Sequence, residues 1–180
     1  MQRHSQLNRR RRGNALVEFT LVGIPMLFLW VGIMEMGRAM WQYHTIQYAC
    51  KMTAEYASVH GATCASPNSC LKNMSDVVTT FQNNATGVPM SKVALKLTSE
   101  SSSVTCPVVS TCSSNSSWST TWPPTSDNAV GNWIKVRADY TFSTALALFW
   151  PGAGKPWSFG SAIGSGTFDL PGYSYQIIQF

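Results

Sequence analysis

Side chains able to do acid–base or nucleophilic chemistry are sparse in this chain. Its 180 residues hold three histidines, His4, His44 and His60, and eight acids. A catalytic base must reach both a nucleophile and an orienting acid, and no spacing around these histidines suggests such partners. Serines abound, but no Gly-x-Ser-x-Gly elbow occurs; Gly160–Gly164 and Gly164–Gly166 read as flexible turns. A phosphate-binding loop, a dinucleotide fingerprint and paired metal-ligand motifs are likewise missing from the sequence. His60 with Cys64 and Cys70 does not have the spacing of a structural zinc site, and no fourth ligand is evident. The expectation is a protein that is not an enzyme, with no metal, no cofactor and no small-molecule substrate.

The residue that stands out chemically is Glu18. It is the only charge in Ala15–Met34, ALVEFTLVGIPMLFLWVGIM. Twenty helical residues cover about 30 Å, the thickness of a bilayer's hydrocarbon core. Arg3, Arg9, Arg10, Arg11 and Arg12 precede the run; under the positive-inside rule they place residues 1–13 in the cytoplasm and the rest of the chain outside. A secretory signal peptide would need a shorter apolar core and a small-residue cleavage site, whereas Glu35, Met36, Gly37 and Arg38 follow here. A plain anchor explains the arginines and the length but not the acid, which costs a few kcal/mol in lipid unless it is neutralised or paired. Cleavage after Gly13 would supply a partner. Asn14 would then carry a free α-ammonium, with Glu18 four residues along the same helix face. The carboxylate could pair with its own terminus or with that of an adjacent subunit.

The stretch RRRRGNALVEF resembles the class III leader of type IV pilin-like proteins: a short basic peptide, a glycine, and glutamate as fifth residue of the mature chain. More widely, residues 9–62 are similar to the TadE-like pseudopilins of the Tad (Flp pilus) system, including Pro25, the Gly37-Arg38-Ala39 step and the Ala/Tyr-rich continuation. The resemblance implies cleavage between Gly13 and Asn14 by a prepilin peptidase of the inner membrane. It also implies a subunit-assembly role for Glu18, and other Tad pilins and pseudopilins as partners. The protein would sit in the bacterial inner membrane as a single-pass protein, N-terminus cytoplasmic and C-terminal domain periplasmic, or be incorporated in a surface pilus. The alternative is an uncleaved, membrane-anchored, adhesin-like module that presents a Ser/Thr- and Trp-rich domain to glycans, envelope or partner proteins.

The elements that must carry these residues follow from charge and periodicity. The formal +5 belongs to the first thirteen residues, because eight bases face eight acids from Asn14 onward. A folded nucleic-acid-binding face would distribute its Lys and Arg over the domain, so no nucleic acid is expected. The regions read as a leader (1–13), a transmembrane helix (14–35), an amphipathic extension (36–61) and an outer α+β domain (62–180). Met36, Met40, Tyr43, Ile46, Cys50, Ala54 and Ala57 recur at helical intervals and predict one buried stripe. The single helix of about residues 14–60 would cap at Gly61, and Pro25 would kink its membrane half.

In the outer domain, Leu71, Met74, Val77, Val78 and Phe81 predict a short helix. Val93, Leu95 and Leu97 alternate with polar neighbours, as do Ile134, Val136, Ala138, Tyr140 and Phe142; both predict strands. Gly166–Leu170 and Ser174–Phe180 read as two more strands, with Pro171-Gly172 turning between them. The expected fold is a long N-terminal helix packed on a small antiparallel sheet. Residues 98–126 contain 17 Ser/Thr in 29 positions and read as a long loop that builds no core, with room for a short strand near Val104, a pin at Cys106–Cys112, and Trp118 and Trp122 as tucked-in anchors. In an oxidising compartment, four cysteines permit three pairings; locality favours Cys64–Cys70 and Cys106–Cys112. Cys50, left over in the helix, reads as a small buried hydrophobe.

Overall fold

A computed structural model describes residues 3–60, 72–113, 118–144 and 167–179, with side chains in the first segment from Leu16 onward. It divides into two compact units, Met1–Arg38 and Ala39–Phe180. One helix, α1 (Arg3–Ser58), contributes to both. It begins within the arginine cluster and ends two residues short of the expected His60. Its assignment runs unbroken through Pro25, which has no N–H to offer the carbonyl of Leu21.

The second unit is the α+β fold read from the sequence. After α1 come α2 (Met74–Asn84), a 3-10 turn at Met90–Lys92, β1 (Val93–Ser99), β2 (Ser103–Cys106), a single turn α3 (Val109–Cys112), β3 (Trp133–Ser143) and β4 (Thr167–Ile177). The four strands form one antiparallel sheet in the order β2-β1-β3-β4. Two-residue alternation decides which side is buried. Val93, Leu95 and Leu97 of β1 join Ile134, Val136, Ala138, Tyr140 and Phe142 of β3 in the core, and the intervening residues face outward. Val77, Val78 and Phe81 bring α2 into the same core. This helix starts at Met74 because the backbone N–H of Asn73 is taken by the Asp76 carboxylate at 3.2 Å. The expected first turn at Leu71 lies outside the described residues.

The expected stripe on α1 is buried from Ile46 onward, where Ile46, Cys50, Ala54 and Ala57 all lie in the core, but not before it. Buried positions are Gln42, Ile46, Ala49, Cys50, Thr53, Ala54 and Ala57, whereas Met36, Met40 and Tyr43 are exposed. Small side chains, not the largest, face the sheet because they let the helix lie close to it. At Gly172 of β4 the helix leaves no room for a side chain: an added Cβ would stand 2.6 Å from Ile46 Cγ2 and 3.3 Å from the Ile46 carbonyl carbon.

The expected turn at Pro171-Gly172 does not form. Residues 167–177 are one strand, paired along its length with β3, with Pro171 opposite Asp139 and Gly172 opposite Ala138. Proline is tolerated because β4 is an edge strand and bonds a neighbour on one side only. Gln47 of α1 takes the place of a fifth strand there. Its Nε2 donates to the Pro171 carbonyl at 3.2 Å, and its Oε1 accepts from the Tyr173 N–H at 3.4 Å.

The Ser/Thr-rich stretch is also more structured than expected. The short strand expected near Val104 forms as β2; beyond it the stretch supplies α3 and buries Cys106, Val109, Cys112, Trp118 and Trp122. Sparse apolar residues suffice because each is brought inward by a local constraint. A disulfide joins Cys106 to Cys112 with Cα atoms 6.1 Å apart, and closing so short a loop contributes about 2 kcal/mol on the chain-entropy estimate. Backbone bonds from Trp122 N to Lys72 O and from Met74 N to Thr120 O, both 2.9 Å, fasten the later part of the stretch to the start of α2. Both tryptophans are thus internal anchors, as the sequence suggests. The Cys64–Cys70 pairing falls outside the described residues.

A single carboxylate holds the far end of this stretch. Asp127 is buried and accepts hydrogen bonds from the Ser101 and Ser99 hydroxyls, the Ser101 N–H and the Ser126 hydroxyl. These donors, led by the Ser101 hydroxyl, hold it well below the usual carboxylate range. A folded-state value depressed below the unfolded ~3.9 contributes stability that is complete above that pH and lost as pH falls through the folded value. Urea unfolding of the full-length protein is therefore expected to show a midpoint that drops below about pH 4. Asp127→Asn should lower the midpoint at pH 7 and flatten the acid limb. An unaltered acid limb in the variant would contradict this role.

Candidate membrane anchor and assembly segment

The first unit is built from the N-terminal part of α1, and its described side chains have no core. Large apolar residues from Leu16 to Met36 are exposed, Phe19 to 75% and Leu21 to 73%. A soluble protein does not leave so continuous an apolar surface in water. The helix is long and apolar enough to cross a membrane. The polar groups inside the run are few and partly self-satisfied. The Thr20 hydroxyl lies 3.0 Å from the carbonyls of both Leu16 and Val17, so the helix itself absorbs that donor. Glu35 and Arg38 form an ion pair at 3.1 Å where the apolar run ends. Beside Gly23 the helix surface is notched, and Phe19, Ile24, Leu27 and Trp30 line the groove.

Glu18 is exposed on this surface. Gly13 and Asn14 lie in the same helix, α1, so the i,i+4 relation of positions 14 and 18 holds in the backbone. Among the described residues, no ion pair involves Glu18. The other cleavage and assembly expectations concern a processed chain and a neighbouring subunit.

Elsewhere the chemistry-bearing residues are turned to structural use. His60 Nδ1 sits 2.6 Å from the Tyr56 carbonyl, with its ring against that of Tyr56. His44 is exposed and lies edge-on to Tyr43. Cys50 is fully buried, and that burial pushes its thiol up to about 12; it stays protonated at neutral pH and is a poor nucleophile. Among the described residues no group of three His, Cys, Asp or Glu is placed to hold a metal ion. No pattern in the sequence signals the Asp127 cluster or Gln47 on the sheet edge. Both depend on residues far apart in the chain, and neither leaves a local pattern.

An apolar helix suited to single-pass anchoring, continued into a helix-on-sheet domain, is the architecture that fold and segment together define. Residues 13–55 match the family model described as TadE-like protein. The matched stretch begins at the glycine before Asn14 and includes Glu18, the apolar run and most of the α1 segment that packs on the sheet. No curated protein and no solved structure matches the chain.

Proposed function

We propose that this protein is a pseudopilin or minor pilin of a Tad-type pilus, inserted in the inner membrane with its arginines cytoplasmic and its helix-on-sheet domain periplasmic. A prepilin peptidase removes residues 1–13, and Glu18 then guides the subunit into the assembly. The observation that carries this reading is the position of the TadE-like match, which opens at Gly13 and contains the lone acid of the apolar run Ala15–Met34. Physical reasoning supports it. An acid in lipid is unfavourable unless compensated, and cleavage creates a cation four residues away while removing the basic leader. The apolar side chains around the Gly23 notch offer helix-packing surface, because a glycine lets a second helix come close.

The test is direct. Mass spectrometry of protein extracted from cells that carry the pilus system should find a chain beginning at Asn14. Glu18→Ala should leave membrane insertion intact and reduce piliation by at least about tenfold, the loss expected for 1.4 kcal/mol or more of assembly free energy. A retained leader in piliated cells, or normal piliation with Glu18→Ala, would refute the reading and favour a tethered binding module.

A further inference from the structure

The outward face of the sheet is not covered by α1 or α2, and its side chains are unusual for a merely solvated surface. At the β3–β4 end, Tyr173, Tyr175 and Ile177 are 61%, 55% and 53% exposed. The Trp133 and Tyr175 rings stack with centroids 5.5 Å apart and planes 17° from parallel, and Lys135 Nζ lies 5.4 Å from the Tyr173 ring centre. These contacts fix the aromatics in place, so little side-chain freedom remains to be lost on binding. Beside them runs a row of cations. Lys96 of β1 is directly opposite Arg137 of β3, and Lys135 is one outward position along. Like charges facing each other across a sheet are destabilising. Arg137 is balanced by Asp139 at 2.9 Å, but Lys96 and Lys135 have no carboxylate partner among the described residues.

We propose that this face binds an acidic polysaccharide. Exposed ring faces offer stacking surface to the C–H face of a sugar, and ammonium and guanidinium groups pair with its carboxylates by charge-assisted hydrogen bonds. Thr98 and Thr105 share the outward face and add hydroxyl partners; the Thr141 hydroxyl, toward the other end of β3, is taken by the Asp169 carboxylate at 2.9 Å. A second copy is a poor occupant, since face-to-face contact would set Lys96, Lys135 and Arg137 against themselves. Single-stranded nucleic acid also uses rings and cations, but its closely spaced phosphates call for more than the three cations present here. The inference does not depend on the pilus reading, because it concerns only the outer domain.

Affinity electrophoresis of the full-length, detergent-solubilised protein tests it, with alginate as the polyuronate, dextran as the neutral polymer and oligo-dT as the nucleic acid. Arg9, Arg10, Arg11 and Arg12 are first replaced by Gln, so that the leader adds no charge attraction. Alginate should retard this protein and dextran should not, with retardation weakening as salt rises. Tyr173→Ala with Tyr175→Ala, and separately Lys96→Gln with Lys135→Gln, should each weaken binding about tenfold, the equivalent of 1.4 kcal/mol. The exposed single change Lys96→Gln should act in the same direction if either pair disturbs folding. Unchanged affinity in all three variants, equal retardation by dextran, or tighter binding of oligo-dT would overturn the proposal.

Discussion

Trp122→Ala is expected to destabilise the helix-on-sheet domain by about 3–5 kcal/mol, the range for removing a buried aromatic ring. Trp122 is 1% exposed and is the largest of the fully buried side chains. Its segment has no long strand or helix of its own to fall back on; the bonds from Trp122 N to Lys72 O and from Met74 N to Thr120 O, which make the bridge of Asn73 with Thr121, hold its backbone. Loss of the ring therefore removes the main reason for this part of the Ser/Thr-rich stretch to stay inward. Trp122→Phe makes the argument specific. The indole Nε1 meets no acceptor among the described residues, so phenylalanine keeps most of the apolar contact and discards an unsatisfied donor. Urea unfolding should show a large drop in midpoint for Ala and a much smaller one for Phe. Equal losses would mean that the indole makes a polar contact after all, and a negligible loss for Ala would remove Trp122 from the core.

The second large effect is expected at Gly172. Gly172→Val is expected to cost roughly 3 kcal/mol, the upper end for overpacking a filled interior, with Gly172→Ala costing less. Any Cβ there meets Ile46 at once, and neither the β-branched side chain nor the helix backbone behind it can move without separating α1 from β4. Shifting the helix would also strain the two Gln47 bonds that close the strand edge. The check is a double-mutant cycle. Ile46→Ala removes the clashing methyl, so the penalty for Gly172→Ala should be smaller in that background than in the parent. Additive losses would show that the close approach is not what requires glycine.

How far the sequence was legible depended on whether its signals were local. The apolar run of Ala15–Met34 needs no partner to be read, since its length and lack of charge already match a bilayer. Alternation in Val93–Leu97 and Ile134–Phe142 is local in the same sense, and both strands stand where that alternation put them. Pro171-Gly172 misled because the pair usually signals a turn. Its actual setting, an edge strand pressed by a helix, is defined by residues 46 and 47, more than a hundred positions away. The α1 stripe is buried at Ile46, Cys50, Ala54 and Ala57 as its period predicts, but its early members are exposed and small neighbours join it, for a related reason. Hydropathy weights Met40 and Tyr43 above Ala49 and Thr53, but close packing against a sheet favours the smaller side chains.

By itself, then, the sequence determined the plan of this protein: a basic N-terminal segment, an apolar helical run with a single acid, and an α+β domain. These follow from composition and short-period patterns that act through solvent and need no particular neighbour. Only the tertiary structure decided where along α1 the buried stripe begins, that residues 167–177 are one strand, and that Asp127 gathers the hydroxyls of Ser99, Ser101 and Ser126. Those outcomes rest on contacts between distant residues, where the available space and the available hydrogen-bond donors outweigh local preference.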